Sequence, residues 1–300
     1  AYLNLIDTFA KAFCGHGNEA VIMAAFIYSQ SGYKMRLGRD CEKLYLLYGS
    51  KHGIYEKGYI VIEGINYYPL DDKVERMEIS DFSFPQEQSM SLYIENAQKF
   101  TIRPSAIRKL ASEQYHDVAI DSQVNLNLIQ FYNTYPSSEV NGNFMTCWKM
   151  YADTPMDESV SQMLYPDIKN KIEGLSDVQA VNQILNWVQT AFQYEYDDKV
   201  WGHDRAFFAE ETLYYPYCDC EDRAILFTRL VRDLLGLKCI LVYYPGHLAS
   251  AVCLKQQVNG DYISLDGDVY TICDPTYIGA PVGITMPEMD NRSAKVIKLL

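Results

Sequence analysis

The chain reads as an α+β protein: one helix packed on an antiparallel sheet, a degenerate N-terminal copy of that unit, and a small β region between the two. Three observations predict this. A long amphipathic stretch begins at Cys220 and is stopped by Gly236, and a meander of short strands with glycine-containing turns follows it. Part of the same residue order also stands about 204 positions earlier in the chain. A length of 300 residues, 48% hydrophobic and 22% charged, suffices for one large core or two to three small ones.

The helix is the most regular element. Ile225, Phe227, Leu230, Val231, Leu234 and Leu235 recur at helical spacing. Asp219 suits the N-cap, Glu221 and Asp222 suit the first turn through the helix dipole, and Gly236 suits the residue just past the C-terminus. Cys220 therefore stands at a helix N-terminus. Downstream, Cys239 to Tyr244 and Ala249 to Leu254 read as strands around the bend Pro245-Gly246-His247, which puts His247 at a strand edge. Asp266-Gly267 makes a tight hairpin between Tyr262–Leu265 and Val269–Cys273, and Asp274-Pro275 ends it. Upstream, Val181, Ile184, Leu185, Val188 and Phe192 form a second helical face, and the whole C-terminal domain is assigned to residues 161–300.

Shifting the sequence by 204 places Cys14 on Cys218, Ala20 on Ala224 and Gly32 on Gly236; a shift of 203 places Gly64 on Gly267 and Asp71 on Asp274. Residues 1–78 are thus expected to be a degenerate copy. His16 stands at the Cys220 position and Lys43 or Leu44 at the His247 position. With no thiol at the nucleophile position, such a copy is expected to run no acyl transfer and to shape or bind the substrate. Residues 79–160, with β-rich runs at Met90–Ile94, Phe100–Ile102, Val118–Ile120, Val124–Tyr132 and Phe144–Tyr151, are expected to form a β-rich connecting domain.

Charge and cysteine usage narrow the function. Lys+Arg 26 against Asp+Glu 39 gives a net charge of −13, which repels nucleic-acid backbones and anionic membranes. Apolar runs such as Val21 to Tyr28 fall far short of the roughly 18 residues of a membrane span, so no membrane insertion is expected. The 25 tyrosines in an acidic chain suggest a surface for polar polymers or peptides. Eight cysteines, sparse and irregular, argue against a disulfide scaffold. Cys239, Cys253 and Cys273 lie in strand-like stretches and read as buried, inert thiols. Cys218-x-Cys220 lacks the partner pair of a structural zinc site, and no metal is assigned.

Cys220, His247 and Asp274 form a chemically coherent set. A thiol needs thiolate character to attack; a helix N-terminus and an imidazolium lower its pKa, whereas Glu221 and Asp222 oppose this. An ion pair with His247 is therefore expected to supply most of the shift. His247 then acts as base and acid, oriented by Asp274 across adjacent strands.

The segments Cys220-Glu-Asp-Arg-Ala224, Gly246-His247 and Tyr270-Thr-Ile-Cys-Asp274-Pro-Thr276 resemble the core of the transglutaminase-like superfamily of papain-like cysteine enzymes, over roughly residues 165–285. The resemblance implies a papain-like core without cofactor, with Cys220 as nucleophile, His247 as base and acid, and Asp274 as orienting carboxylate. Two departures stand out. Leu248-Ala-Ser-Ala replaces the aromatic residue usual two positions after the histidine, and Cys218-Asp219 stands where a glycine is common nearby. No oxyanion motif carries over, so Gln193, Tyr196 and Trp201 are candidates beside the Cys220 backbone N–H. The expected activity is amide hydrolysis or acyl transfer on a protein or peptide through a thioester. The contrasting reading is a non-catalytic peptide- or glycan-binding scaffold that kept the fold. By the same resemblance the protein is expected to be bacterial and periplasmic or exported, with Ala1 as a trimmed start; cytoplasmic location stays open.

Overall fold

The computed structural model describes residues 2–71, 77–95 and 98–300. It is mixed α+β and divides into two compact units, Ala1–Tyr93 with Pro136–Phe144, and Ile94–Tyr135 with Met145–Leu300.

In the first unit, helices α1 (Tyr2–Cys14) and α2 (Asn18–Gln30) precede strands β1 (Met35–Asp40), β2 (Lys43–Ser50), β3 (Ile60–Ile62), β4 (Ile65–Pro69) and β5 (Glu78–Ile79). All pair antiparallel in the order β3-β4-β2-β1-β5. Small residues Ala20, Ala24 and Ala25 let α2 lie close against Met35, Leu46, Tyr48 and Tyr68. The opposite side of α2 leaves Ile22 and Phe26 exposed.

The second unit contains α3 (Asp177–Thr190), α4 (Cys220–Leu235) and strands β6 (Cys239–Tyr244), β7 (His247–Val252), β8 (Tyr262–Leu265), β9 (Asp268–Cys273) and β10 (Lys295–Lys298). Its sheet is antiparallel throughout, in the order β8-β9-β7-β6-β10. Both sheets therefore place their third, fourth, second, first and fifth strands side by side. The central hairpins also share a register, from Met35↔Tyr48 to Asp40↔Lys43 in one and from Cys239↔Val252 to Tyr244↔His247 in the other. The outer hairpins turn alike. Glu63-Gly64 and Asp266-Gly267 each have positive φ at both positions, the condition of a type I′ turn, whose twist matches that of the strands.

Helix α4 spans the expected residues. Gly236, at φ 64°, closes it in the left-handed conformation and donates its N–H to the Arg232 carbonyl. The helix is more deeply enclosed than an amphipathic stripe implies: every residue from Cys220 to Val231 is buried, including Glu221, Asp222, Arg223 and Arg229. Leu226, Phe227, Leu230 and Val231 pack against Val181, Ile184, Leu185 and Val188 of α3. The sheet's other face buries Ile240, Val242, Ala249, Ala251 and Ile272. Each large apolar side chain removed from water there contributes roughly 1.5–3 kcal/mol.

The expectation for 79–160 needs correction. That stretch is divided between the two units, and two of its supposed β runs are helical. Val124–Tyr132 falls on the helix Leu126–Asn133, because Asn125 caps it by accepting the Asn127 N–H, and Leu128, Ile129 and Tyr132 then face the core. Phe144–Tyr151 falls on the helix Met145–Asp153. Among the described residues of this stretch, strands are the short pair Arg108–Ala111 and Ala119–Ser122, the two-residue Ser138–Glu139, and the end of β5. Met90–Ile94 and Phe100–Ile102 belong to no regular strand. The tyrosines also serve the interior more than the surface reading suggests: Tyr28, Tyr67, Tyr68, Tyr132, Tyr151 and Tyr244 are all buried.

Candidate active site

Cys220 is the first residue of α4, His247 the first of β7, and Asp274 follows β9 directly. The adjacent pairing of β7 with β9, Ser250↔Cys273, brings the histidine and the aspartate together. His247 Nε2 lies 2.8 Å from Asp274 Oδ2, with relative exposures of 6% and 2%. A carboxylate at Nε2 holds the proton on that nitrogen and leaves Nδ1 as the acceptor. Asp274 is itself fixed: its Oδ1 accepts the N–H groups of Thr276 (2.9 Å) and Tyr277 (3.2 Å), the turn that Asp-Pro-Thr builds. The Tyr244 ring lies nearly parallel to the imidazole at 6.3 Å.

Gln189, on the α3 face, locks the aspartate's backbone. Its Nε2 donates to the carbonyls of Asp274 (2.9 Å), Tyr277 (2.9 Å) and Ala280 (3.0 Å), while its Oε1 accepts the Gly279 N–H. Ser250 Oγ donates to the Cys273 carbonyl at 2.6 Å. Sequence reasoning missed Gln189. The available signal was a glutamine four residues after Leu185 on an otherwise apolar helical stripe, a polar group that burial obliges to find partners.

Cys220 is buried at 9% exposure, and its thiol donates to Glu221 Oε2 at 3.1 Å. The Leu248 backbone N–H also reaches the sulfur, which places the thiol beside the start of β7. Burial first, then the negative charges of Glu221 and Asp219, push this thiol well above its ordinary range; the Leu248 N–H pulls the other way. The hydrogen-bond partner of the thiol among the described residues is thus Glu221 and not His247. A preformed thiolate–imidazolium pair, expected above, is not what these contacts describe. They fit a neutral thiol bonded to Glu221.

The helix start is crowded with acids. The Asp219 N–H donates to Asp222 Oδ2, and Asp222 Oδ1 accepts the Phe207 N–H. Asp219 is the N-cap, as expected, in a capping box with Asp222; its Oδ1 is buried without a hydrogen-bond partner among the described residues. Burial and mutual repulsion raise Asp219 and Asp222 strongly and push Asp197 up to about 6. Oxygens of Asp197, Asp219 and Asp222 lie within 4.8 Å of one another, as do ligand atoms of Asp197, Asp204 and Glu221, and of Asp219, Cys220 and Glu221. Carboxylates so grouped suit a hard cation or shared protons. Arg223 does not neutralise them. Its guanidinium is buried and donates to the Gln189 and Phe192 carbonyls and to Cys218 Sγ.

The oxyanion candidates fall in different places. Gln193 is exposed and pairs with Tyr217 in a two-residue parallel ladder; Tyr196 is exposed; Trp201 packs on Phe207 and Tyr215 with Arg205 stacked on its ring at 4.4 Å. Tyr194 is half-buried near Cys220 and Asp219, and burial first of all pushes its phenol up. Of the thiols expected to be inert, Cys239 and Cys273 are buried and shifted upward, Cys239 to about 12, whereas Cys253 is half-buried. No disulfide joins any described residues.

Comparison with known proteins adds no relative: no family model matches the chain, no curated protein matches it, and no solved structure matches its fold.

Proposed function

We propose that residues 161–300 form a transglutaminase-like cysteine enzyme domain with a papain-like core, which cleaves amide bonds in a protein or peptide, and that residues 1–78 are its degenerate duplicate. The observation that carries this reading is the buried His247–Asp274 pair, 2.8 Å apart, at the strand start whose next backbone N–H reaches the Cys220 sulfur. In the proposed reaction Cys220 Sγ attacks the substrate carbonyl carbon as its proton passes to His247 Nδ1. The C–N bond breaks, the imidazolium returns the proton to the leaving amine, and a thioester forms. Water, deprotonated by His247, then attacks the thioester and releases a carboxylate and the thiol. An amine in place of water would give acyl transfer instead. The shared strand order and hairpin registers of the two sheets support the duplication.

A second reading has its own support. The Cys220–Glu221 hydrogen bond and the upward pressure on the thiol favour a binding or scaffold protein that retained the fold. Iodoacetamide labelling between about pH 5 and 9, read by peptide mass, separates the two. Enzyme chemistry requires Cys220 to label faster than Cys253 and His247→Ala to slow it; a Cys220 that labels no faster than Cys253 in either protein leaves the scaffold.

A further inference from the structure

Carboxyls crowd the start of α4: Asp219, Glu221 and Asp222 from its cap and first turn, Asp197 and Asp204 from the segment between α3 and α4. Asp197, Asp219, Glu221 and Asp222 are at most 7% exposed, whereas Asp204 is exposed and opens the group to solvent. Among the described residues none of these acids forms an ion pair. The nearby cations are engaged elsewhere: Arg205 with Glu211 and Asn133, Arg223 with the Gln189 and Phe192 carbonyls, and Lys199 with Glu195.

Hydrogen bonds do not account for the group either. The positive end of α4 favours carboxylates, but Asp222 already takes the Asp219 and Phe207 N–H groups, and Asp197 Oδ2 takes the Arg205 N–H at 2.6 Å. Asp219 Oδ1 is left fully buried with no partner among the described residues. Asp219 faces the other acids: ligand atoms of Asp197 and Asp219, of Asp197 and Glu221, and of Asp219 and Glu221 lie within 4.8 Å of each other in each pair. Two oxygens on one Ca²⁺ ion, each at about 2.4 Å from it, stand no farther apart than that. An ionised carboxylate only accepts, so two that face each other need a proton or a cation between them.

We propose that Asp197, Asp219 and Glu221 hold a calcium ion beside the start of α4, with Asp204 at the entrance and water completing the coordination. Calcium suits a set of carboxylates from separate segments, because it accepts irregular oxygen geometry; magnesium demands a near-ideal octahedron and keeps its waters, and zinc calls for nitrogen and sulfur ligands. In chelator the same carboxyls hold protons instead. The site requires nothing of Cys220 as a nucleophile, so it can fail while the enzyme reading stands, and the reverse.

The test titrates Ca²⁺ into the full chain, freed of metal by chelator, by calorimetry at about pH 7.5 in about 0.15 M KCl, where screening suppresses loose binding to the acidic surface. A single ion per chain is expected, with a dissociation constant on the order of 10 µM and Mg²⁺ at least about tenfold weaker. Ca²⁺ at about 1 mM should raise the melting temperature read by tryptophan fluorescence, and chelator should reverse the rise. Asp219→Asn and Glu221→Gln, which keep the side-chain shapes, should each weaken Ca²⁺ binding at least about tenfold, while Asp198→Asn, the same charge change at an exposed neighbour, should leave it within about twofold. Circular dichroism reports whether each variant is folded, and if Asp219→Asn is not, Glu221→Gln carries the comparison. Binding weaker than about 1 mM, equal affinity for Ca²⁺ and Mg²⁺, or no loss in the folded variants overturns the proposal and leaves shared protons as what holds the acids together.

Discussion

The two units carry the same strand order on helices that live in different environments. Helix α2 covers one face of its sheet and leaves Phe26 at 63% exposure, whereas α4 is enclosed from Cys220 to Val231. The contrast reaches the residues at the helix starts. In the second unit Cys220, Asp219 and Asp222 are buried among charges that repel one another; in the first, His16 and Lys43 face a cleft open to water. The same strand order thus carries two different environments at the helix starts, and what separates them is burial more than backbone.

The largest expected effects test that difference directly. Phe227→Ala, on the enclosed helix, should destabilise the protein by about 3–5 kcal/mol in urea unfolding, while Phe26→Ala should stay within about 0.5 kcal/mol. Comparable losses would mean that α2 is also covered. Gln189→Ala strips the shared donor from three carbonyls and should lower stability by about 1–3 kcal/mol. It should also slow iodoacetamide labelling of Cys220 through looser placement of Asp274; unchanged labelling would make Gln189 a purely structural residue.

The units should also respond to pH in opposite senses. Burial pushes Asp197 up to about 6 and Glu210 and Glu211 up to about 7, so these carboxyls hold protons in the folded state that the unfolded chain releases. Their contribution is complete below about pH 4 and is lost as pH rises toward about 7. In the first unit, burial and Lys51 push buried His52 down to about 4. Its contribution is present above the unfolded value near 6.5 and is lost as pH falls toward 4. All three tryptophans, Trp148, Trp187 and Trp201, lie in the second unit, so tryptophan fluorescence reads that unit alone. Its melting temperature should fall between pH 5 and 8, less steeply in Asp197→Asn, while amide exchange in β1 and β2 should speed up as pH drops from 6.5 to 4, after correction for the intrinsic rate. Parallel behaviour of both units would break the contrast.

The smallest effect concerns the paired aspartates. Asp274→Asn should reduce Cys220 labelling about tenfold by loosening the histidine's tautomer, and Asp71→Asn should leave it unchanged. Equal effects would place Asp71 in the chemistry of the second unit.

Much of the second unit was legible because its signals are local. The span of α4 follows from a helical apolar stripe and a terminal glycine, and the Asp266-Gly267 hairpin follows from two residues that accept positive φ. The order Cys220, His247, Asp274 was visible for the same reason, since each stands at an element boundary that turn and cap residues mark. The middle of the chain misled where apolar density carried no period: Val124–Tyr132 has as many β-formers as a strand, and the Asn125 cap with the core contacts of Leu128 and Tyr132 decided for helix.

Sequence alone determined the local conformations and the chemical types available at the site, because spacing, caps and turn residues act within a few positions of one another. Tertiary structure decided what those residues meet. It set Gln189 against the Asp274 backbone from 85 residues away, and buried Cys220 among Asp219 and Glu221 so that its thiol is held up and not ionised. It also gathered His16, Lys43 and Asp71 around one cleft. Desolvation and long-range hydrogen bonding depend on what the whole fold brings close, and no window of sequence contains them.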